Sequence, residues 1–186
     1  EAMDCAQLGR NLMQRGRLTT LCVRPASLWY MKEHAGAENA MVEPHPDILH
    51  APAYPALLAG WFKACRVSFE PRSPTERTDF DKWVVFLSCL LVLPTGLFVY
   101  LLGKKLFDGR LALIATTLYF LSDTMWSDGI SGLPITLVTF LATSAFYFSL
   151  IAATRYQDGE RSRRWVVPMA LAVLSCAAAF LTRYGA

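Results

Sequence analysis

Between Trp83 and Gly103 the chain runs through twenty-one residues without a charge, WVVFLSCLLVLPTGLFVYLLG. At ~1.5 Å of rise per residue, a helix of that length covers the roughly 30 Å of a bilayer's hydrocarbon core. Lys82 precedes the run, Lys104 and Lys105 follow it, and Trp83 and Tyr100 set aromatic rings at or near its ends, as suits a helix whose ends meet headgroups. Three more apolar runs follow. The pattern predicts an all-α, multi-pass transmembrane helical bundle with spans at about 83–103, 111–126, 133–154 and 165–182, the last mildly kinked by Pro168 near its start. Asp123 and Asp128 fall in SDTMWSDGISG, at and just after the end of the second run. An ionised Asp at mid-bilayer costs ~2.5–3.5 kcal/mol, so both are expected at a membrane surface or in a wet cavity.

Residues 1–82 pattern differently and form a separate region. In EAMDCAQLGRNLMQRG the apolar residues Met3, Ala6, Leu8, Leu12 and Met13 recur near helical spacing, and Gly16 supplies a stop. A short amphipathic helix is predicted. RLTTLCVRPASLWY, from Arg17 to Tyr30, is β-prone with Pro25 as an interruption, which predicts a short extended segment, and Met31–Val42 reads as a loop. EPHPDILHAPAYP is too rich in proline for a helix, and Pro55 is suited to open the next one, Ala56–Val67. That helix is too short to span. It is expected to lie in the membrane interface with Trp61 and Phe62 buried and Lys63 and Arg66 reaching back to water.

Composition agrees with this division. Of the 186 residues 54% are apolar and 18% charged, and the apolar residues concentrate after residue 82. Residues 1–82 hold ten basic and ten acidic side chains, so the net charge of +3 comes from the second half, with eight basic residues against five acidic ones. Such an excess does not argue for nucleic acid. The turns near residues 107 and 160 carry seven basic residues against three acids, while 123–132 has two acids and no base. By the positive-inside tendency the basic turns are cytoplasmic, which groups residues 1–82, the 123–132 loop and Arg183 on the extracytoplasmic side. The five cysteines show no metal-binding spacing, and Cys5, Cys22 and Cys65 could pair only in an oxidising compartment. With Glu1 in place of an initiator Met and no signal-peptide pattern, the chain is expected to be a piece of a longer protein with at least one further span before it.

The grouping brings several chemically capable residues to one face. Glu1 and Asp4 are three apart and would project from one side of a helix, where either could act as general base on a hydroxyl. Acids also favour helix N-termini for dipole reasons alone. His45 and His50 could ligate a metal or bond a phosphate, or simply be solvated. Arg183 and Tyr184 could hold a phosphate by charge-assisted hydrogen bonds, although an arginine at a helix end also serves as an interface anchor.

The wording of these segments resembles the GT-C class of membrane glycosyltransferases, which includes the dolichyl-phosphate-mannose protein mannosyltransferases and the lipid A aminoarabinose transferase. EAMDCAQLGRNLMQRGRLTT resembles the opening of that class's first extracytoplasmic loop, with Arg10 in its Arg-Asn-Leu stretch. HPDILHAPAYPALLAGWFKA resembles its Pro-Pro-Leu-Tyr helix start, with Tyr54 at the tyrosine, and LTRYGA resembles the Leu-Thr-Arg/Lys close of a later helix. VYLLGKKLFDGRLALIATTLYFLS resembles the joint between two of its helices. The resemblance implies an integral protein of the bacterial plasma membrane. It would transfer a sugar, with inversion, from a polyprenyl-phosphate donor to a lipid, glycan or protein acceptor at the extracytoplasmic face, with a divalent metal in some members and none in others. It places Glu1 at the catalytic acid, with Asp4 as the nearest alternative, and Tyr54, Asp128 and Arg183 toward substrate, where Arg10, His50 and Tyr184 are expected beside them. Cys5 replaces the usual aromatic, and Gly132, Leu133 and Pro134 stand where a second family acid precedes a proline, so that Asp128 would have to substitute. Two alternatives follow: a transporter or flippase of lipid-linked sugar, disfavoured by apolar runs without ionisable groups, and an inactive relative that binds without turnover.

Overall fold

The computed structural model describes residues 2–20, 23–35, 45–69, 79–157 and 163–183, and these are mostly helical. In chain order they form α1 (Ala2–Arg15), β1 (Thr19–Thr20), α2 (Pro25–Ala35), β2 (His45–Pro46), α3 (Ala53–Ala64), α4 (Asp79–Leu106), α5 (Gly109–Leu121), α6 (Asp123–Ser131), α7 (Ile135–Gln157) and α8 (Val166–Thr182). The chain divides into two compact units, Glu1–Val84 and Val85–Ala186.

The first unit is built on α1 and α3. Cys5, Ala6, Leu8 and Asn11 are buried along one side of α1, but Met3, expected on that face, is 72% exposed. Gly16, at φ +66°, ends the helix by donating its N–H to the Leu12 carbonyl at 3.0 Å, a left-handed cap that a residue without Cβ forms at no steric penalty. From α3, Tyr54, Leu58 and Phe62 are fully buried. The two helices meet at Gly9, where a Cβ would lie 2.9 Å from Leu58 Cβ and 3.2 Å from the Pro55 carbonyl oxygen. β1 pairs antiparallel with β2, Thr19 opposite Pro46 and Thr20 opposite His45, and Asn11 Nδ2 ties α1 to this pair by donating to the Thr19 carbonyl at 2.6 Å.

Three expectations for this unit need correction. The loop expected from Met31 is helical as far as Ala35 because Pro25 opens α2 at its first position, while the Arg24 carbonyl accepts from the Ser27 and Leu28 N–H groups at 3.0 and 3.1 Å. The rest of that expected loop, 36–42, lies outside the described residues. α3 starts at Ala53, and Pro55 is its third residue, where the missing N–H has no intrahelical partner to lose. Phe62 is buried by protein rather than lipid, and Trp61 is half-buried with Nε1 donating to the Trp83 carbonyl at 3.1 Å.

The end of α3 is a Schellman motif with an unusual residue in it. The Val67 N–H reaches back to the Phe62 carbonyl at 3.0 Å and the Arg66 N–H to the Lys63 carbonyl at 3.3 Å, while Val67 and Phe62 are both buried. Arg66 occupies the left-handed position at φ +51°, where a side chain costs ~1–2 kcal/mol and glycine is usual.

The second unit is wholly helical among its described residues. α4 runs on to Leu106, with Pro94 in its interior, so Lys104 and Lys105 belong to the helix and only Phe107 and Asp108 form the turn into α5. Asp108 caps α5 by accepting from the Leu111 N–H at 2.7 Å. α4 and α5 are close enough that a Cβ on Gly103 would lie 2.8 Å from Ala112 Cα. The second apolar run is not one helix to Trp126. It stops at Leu121, Ser122 is extended, and α6 restarts at Asp123, an acid suited to a helix N-terminus. Thirteen residues give α5 a length of ~20 Å, less than a hydrocarbon core. Gly132, at φ +67°, ends α6.

α7 and α8 pack along each other, with the small residues Ser144, Ala145, Ala152 and Ala172 buried and Ser144 Oγ 3.3 Å from Ser175 Oγ. Pro168 is the third residue of α8, where it removes no intrahelical hydrogen bond and gives no cause for the kink expected there. Two helical segments, Asp81–Leu106 and Ile135–Gln157, are long and apolar enough to cross a membrane, and α5 and α8 are shorter apolar helices.

Candidate functional site

The first unit gathers two carboxylates, an imidazole and a guanidinium from separate elements. Asp4 sits in the first turn of α1, where unsatisfied N–H groups favour a negative charge. Arg24 stands just before α2, and its Nη2 donates to Asp4 Oδ2 at 2.6 Å, an ion pair that holds the start of α2 to the start of α1.

Asp47 and His50 lie between β2 and α3. The Asp47 N–H donates to the Leu18 carbonyl at 3.1 Å, which fixes the loop beside β1. The Asp47 carboxylate then folds back on its own loop, accepting the His50 N–H at 3.2 Å and the His50 Nδ1–H at 3.0 Å. An ionised carboxylate is an acceptor only, so this contact puts the ring hydrogen on Nδ1 and turns Nε2 away from Asp47. Nε2 lies 3.8 Å from Asp4 Oδ2. That gap is too long for a direct hydrogen bond, and it leaves room for a hydroxyl that donates to Nε2 beside the carboxylate. The Asp47 side chain is 6% exposed and that of His50 13%, while Asp4 and Arg24 are more open at 21% and 43%. The arrangement therefore has a buried orienting carboxylate, an imidazole, and an accessible acid beside it.

The other expected site residues fall elsewhere. Glu1 and Tyr184 lie outside the described residues. Arg10 is six positions beyond Asp4 on α1, a different side of the helix, and its buried Nε has no hydrogen-bond partner among the described residues. Tyr54 is fully buried in the core of the first unit rather than on a surface that meets substrate. His45 is 3% exposed, and neither ring nitrogen has a hydrogen-bond partner among the described residues. In the second unit Asp128, with Thr95, Tyr119, Thr136 and Thr139, lines a cavity of about 10 Å³, the space of one water. Arg183 follows α8 in extended backbone, exposed, with its N–H on the Ala179 and Phe180 carbonyls.

Among the described residues no three His, Cys, Asp or Glu side chains converge as metal ligands. Neither Arg24 nor Asp47 stands out as a site residue in the sequence. The one signal for Asp47 is its spacing, an Asp after proline and three residues before a His, which suits a side chain that closes a turn on its own backbone. Comparison with protein families, with curated proteins and with solved structures found no match.

Proposed function

We propose that the chain belongs to a multi-pass membrane glycosyltransferase of the GT-C kind, moving a sugar from a polyprenyl-phosphate donor to an acceptor hydroxyl at the extracytoplasmic face. The observation that carries this reading is the 3.8 Å gap between Asp4 Oδ2 and His50 Nε2, backed by the Asp47 contact to Nδ1. The two long apolar helices support a membrane setting, as do the outward-facing Leu93, Leu113, Phe146 and Leu174. Lys104, Lys105 and Arg110 around the α4–α5 turn support a cytoplasmic location for that turn.

In this proposal the acceptor hydroxyl sits in the gap, donating to His50 Nε2. Asp4 Oδ2 already accepts from Arg24, so the imidazole is the better placed base, and the Asp4 carboxylate faces the imidazolium that forms and stabilises it. The proton passes to Nε2 as the hydroxyl oxygen bonds to the anomeric carbon. The bond from that carbon to the phosphate oxygen breaks on the opposite side, and its electron pair leaves with the polyprenyl phosphate, giving inversion. Asp47 holds the ring in the tautomer that can accept, as the buried acid of a serine-protease triad does.

The test is transfer of labelled sugar from a polyprenyl-phosphate donor by membranes containing the protein. His50→Gln and Asp47→Asn are each expected to lower turnover ~10²–10⁴-fold. Transfer at the unmodified rate in both variants and in Asp4→Asn would rule the site out. The Arg24–Asp4 ion pair favours one second reading, a subunit that binds lipid-linked sugar without turning it over. Retained donor binding with no product from any acceptor would select it.

A further inference from the structure

Two locally unfavourable choices in the first unit meet at one place. Gly60 lies mid-way along α3, where alanine would favour the helix, and a Cβ added there would meet nothing within 4 Å. Arg66 takes the left-handed position closing α3, where glycine is the usual residue. Both line a groove of about 500 Å³ between the C-terminal parts of α1 and α3. Departures from local preference that coincide in space are a signature of function.

The groove has a definite chemistry. Leu12 and Met13 of α1, with Phe62 and Val67, make it apolar, and Gly60 leaves it open where a side chain would project. Lys63 and Arg66 complete its lining, both exposed, and neither side chain has an ionic or hydrogen-bond partner among the described residues. Trp61 of the same helix donates to the carbonyl of Trp83, the residue that opens the long uncharged run of α4. The groove therefore lies one helix away from the start of a segment able to enter a bilayer.

We propose that this groove binds an anionic phospholipid of the surrounding membrane, its acyl chain against Leu12 and Met13 beside Gly60 and its phosphate on Lys63 and Arg66. Two unpartnered cations beside an apolar channel match that amphiphile better than a neutral lipid, which has no net charge, or a free anion, which leaves the channel unfilled. Gly60 is then explained by the room the chain needs, and Arg66 by the placement of a guanidinium where glycine would cap α3 with less strain. The site stands whether or not the carboxylate–imidazole cluster transfers sugar.

The test uses the whole chain in micelles of a neutral detergent, with bound lipid counted by native mass spectrometry. Short-chain phosphatidylglycerol is expected to bind saturably and tighter than phosphatidylcholine of the same chain length. Arg66→Gly should weaken it about fivefold, the worth of one cation near an anionic lipid surface. The same variant should unfold at a higher temperature, which separates loss of binding from loss of fold. Gly60→Leu should also block the lipid with both cations retained. Equal binding of the two lipids, wild-type affinity in Arg66→Gly and Gly60→Leu, or inorganic phosphate binding as tightly as phosphatidylglycerol would each overturn the proposal.

Discussion

Alanine placed at Gly9 and at Gly60 should act in opposite directions, although both glycines lie on the same pair of helices. At Gly9 the new methyl would sit 2.9 Å from Leu58 Cβ and 3.2 Å from the Pro55 carbonyl oxygen. Carbon atoms prefer ~3.5–4.0 Å, so α3 has to retreat by ~0.6 Å or more. Neither neighbour is the loose end of a side chain, and forcing an extra methyl into such a contact costs ~1–3 kcal/mol. At Gly60 the methyl meets nothing within 4 Å, which leaves only the gain in helix propensity, ~0.8–1 kcal/mol over glycine. That gain applies at both positions, so the difference between the two variants isolates the α1–α3 contact at ~1–3 kcal/mol. Cys5, 4% exposed on α1, supplies the readout. Its alkylation, resolved from the other cysteines by mass spectrometry in mild denaturant, follows the opening equilibrium of the unit when reclosing is fast. Cys5 in Gly9→Ala should react about 5- to 150-fold faster than in Gly60→Ala, with the wild type between the two or close to Gly9→Ala. Equal rates in the two variants would show that the helices do not meet at Gly9.

Other substitutions probe other parts of the fold and site. His45→Leu removes two buried ring nitrogens without partners among the described residues and should stabilise the first unit by ~1–3 kcal/mol, seen as a higher denaturant midpoint; a lower midpoint would show that the imidazole is satisfied. Gly103→Leu should destabilise the α4–α5 pair by at least ~1–3 kcal/mol, seen as earlier thermal unfolding in micelles, because Ala112 occupies the space its side chain needs. If Arg183 meets the donor phosphate, Arg183→Ala should raise the apparent KM for a polyprenyl-phosphate donor roughly tenfold or more with little change in kcat. An unchanged KM would remove Arg183 from the donor site.

Much of the helical content is readable from spacing and punctuation. The recurrence of Ala6, Leu8 and Leu12 with Gly16 behind them marks α1, and the uncharged runs mark α4, α7 and α8. α2 escapes notice because its apolar residues follow no helical periodicity and its opening proline also suits an extended segment. The break at Ser122 is hidden for the opposite reason. Apolar content continues across it, and only a Ser–Asp pair, better suited to a helix start than to a helix interior, announces the new turn. The candidate site is legible in part: Asp4 and His50 are nameable from residue type, but their approach depends on the Thr19–Pro46 pairing and on a turn closed by Asp47. Pairing between segments that distant in sequence leaves no periodic trace. Arg24 reads as one surface charge among many until α2 forms and carries it to Asp4.

α1 bears Asp4 near one end and the groove residues Leu12 and Met13 near the other, with Gly9 pressed against Leu58 between them. Eight positions of helix make that a rigid arm of ~12 Å with its fulcrum inside the unit. A methyl at Gly9, between the two ends, is therefore expected to disturb both, whereas changes at Asp47 or Arg66, carried by other segments, each act at one end.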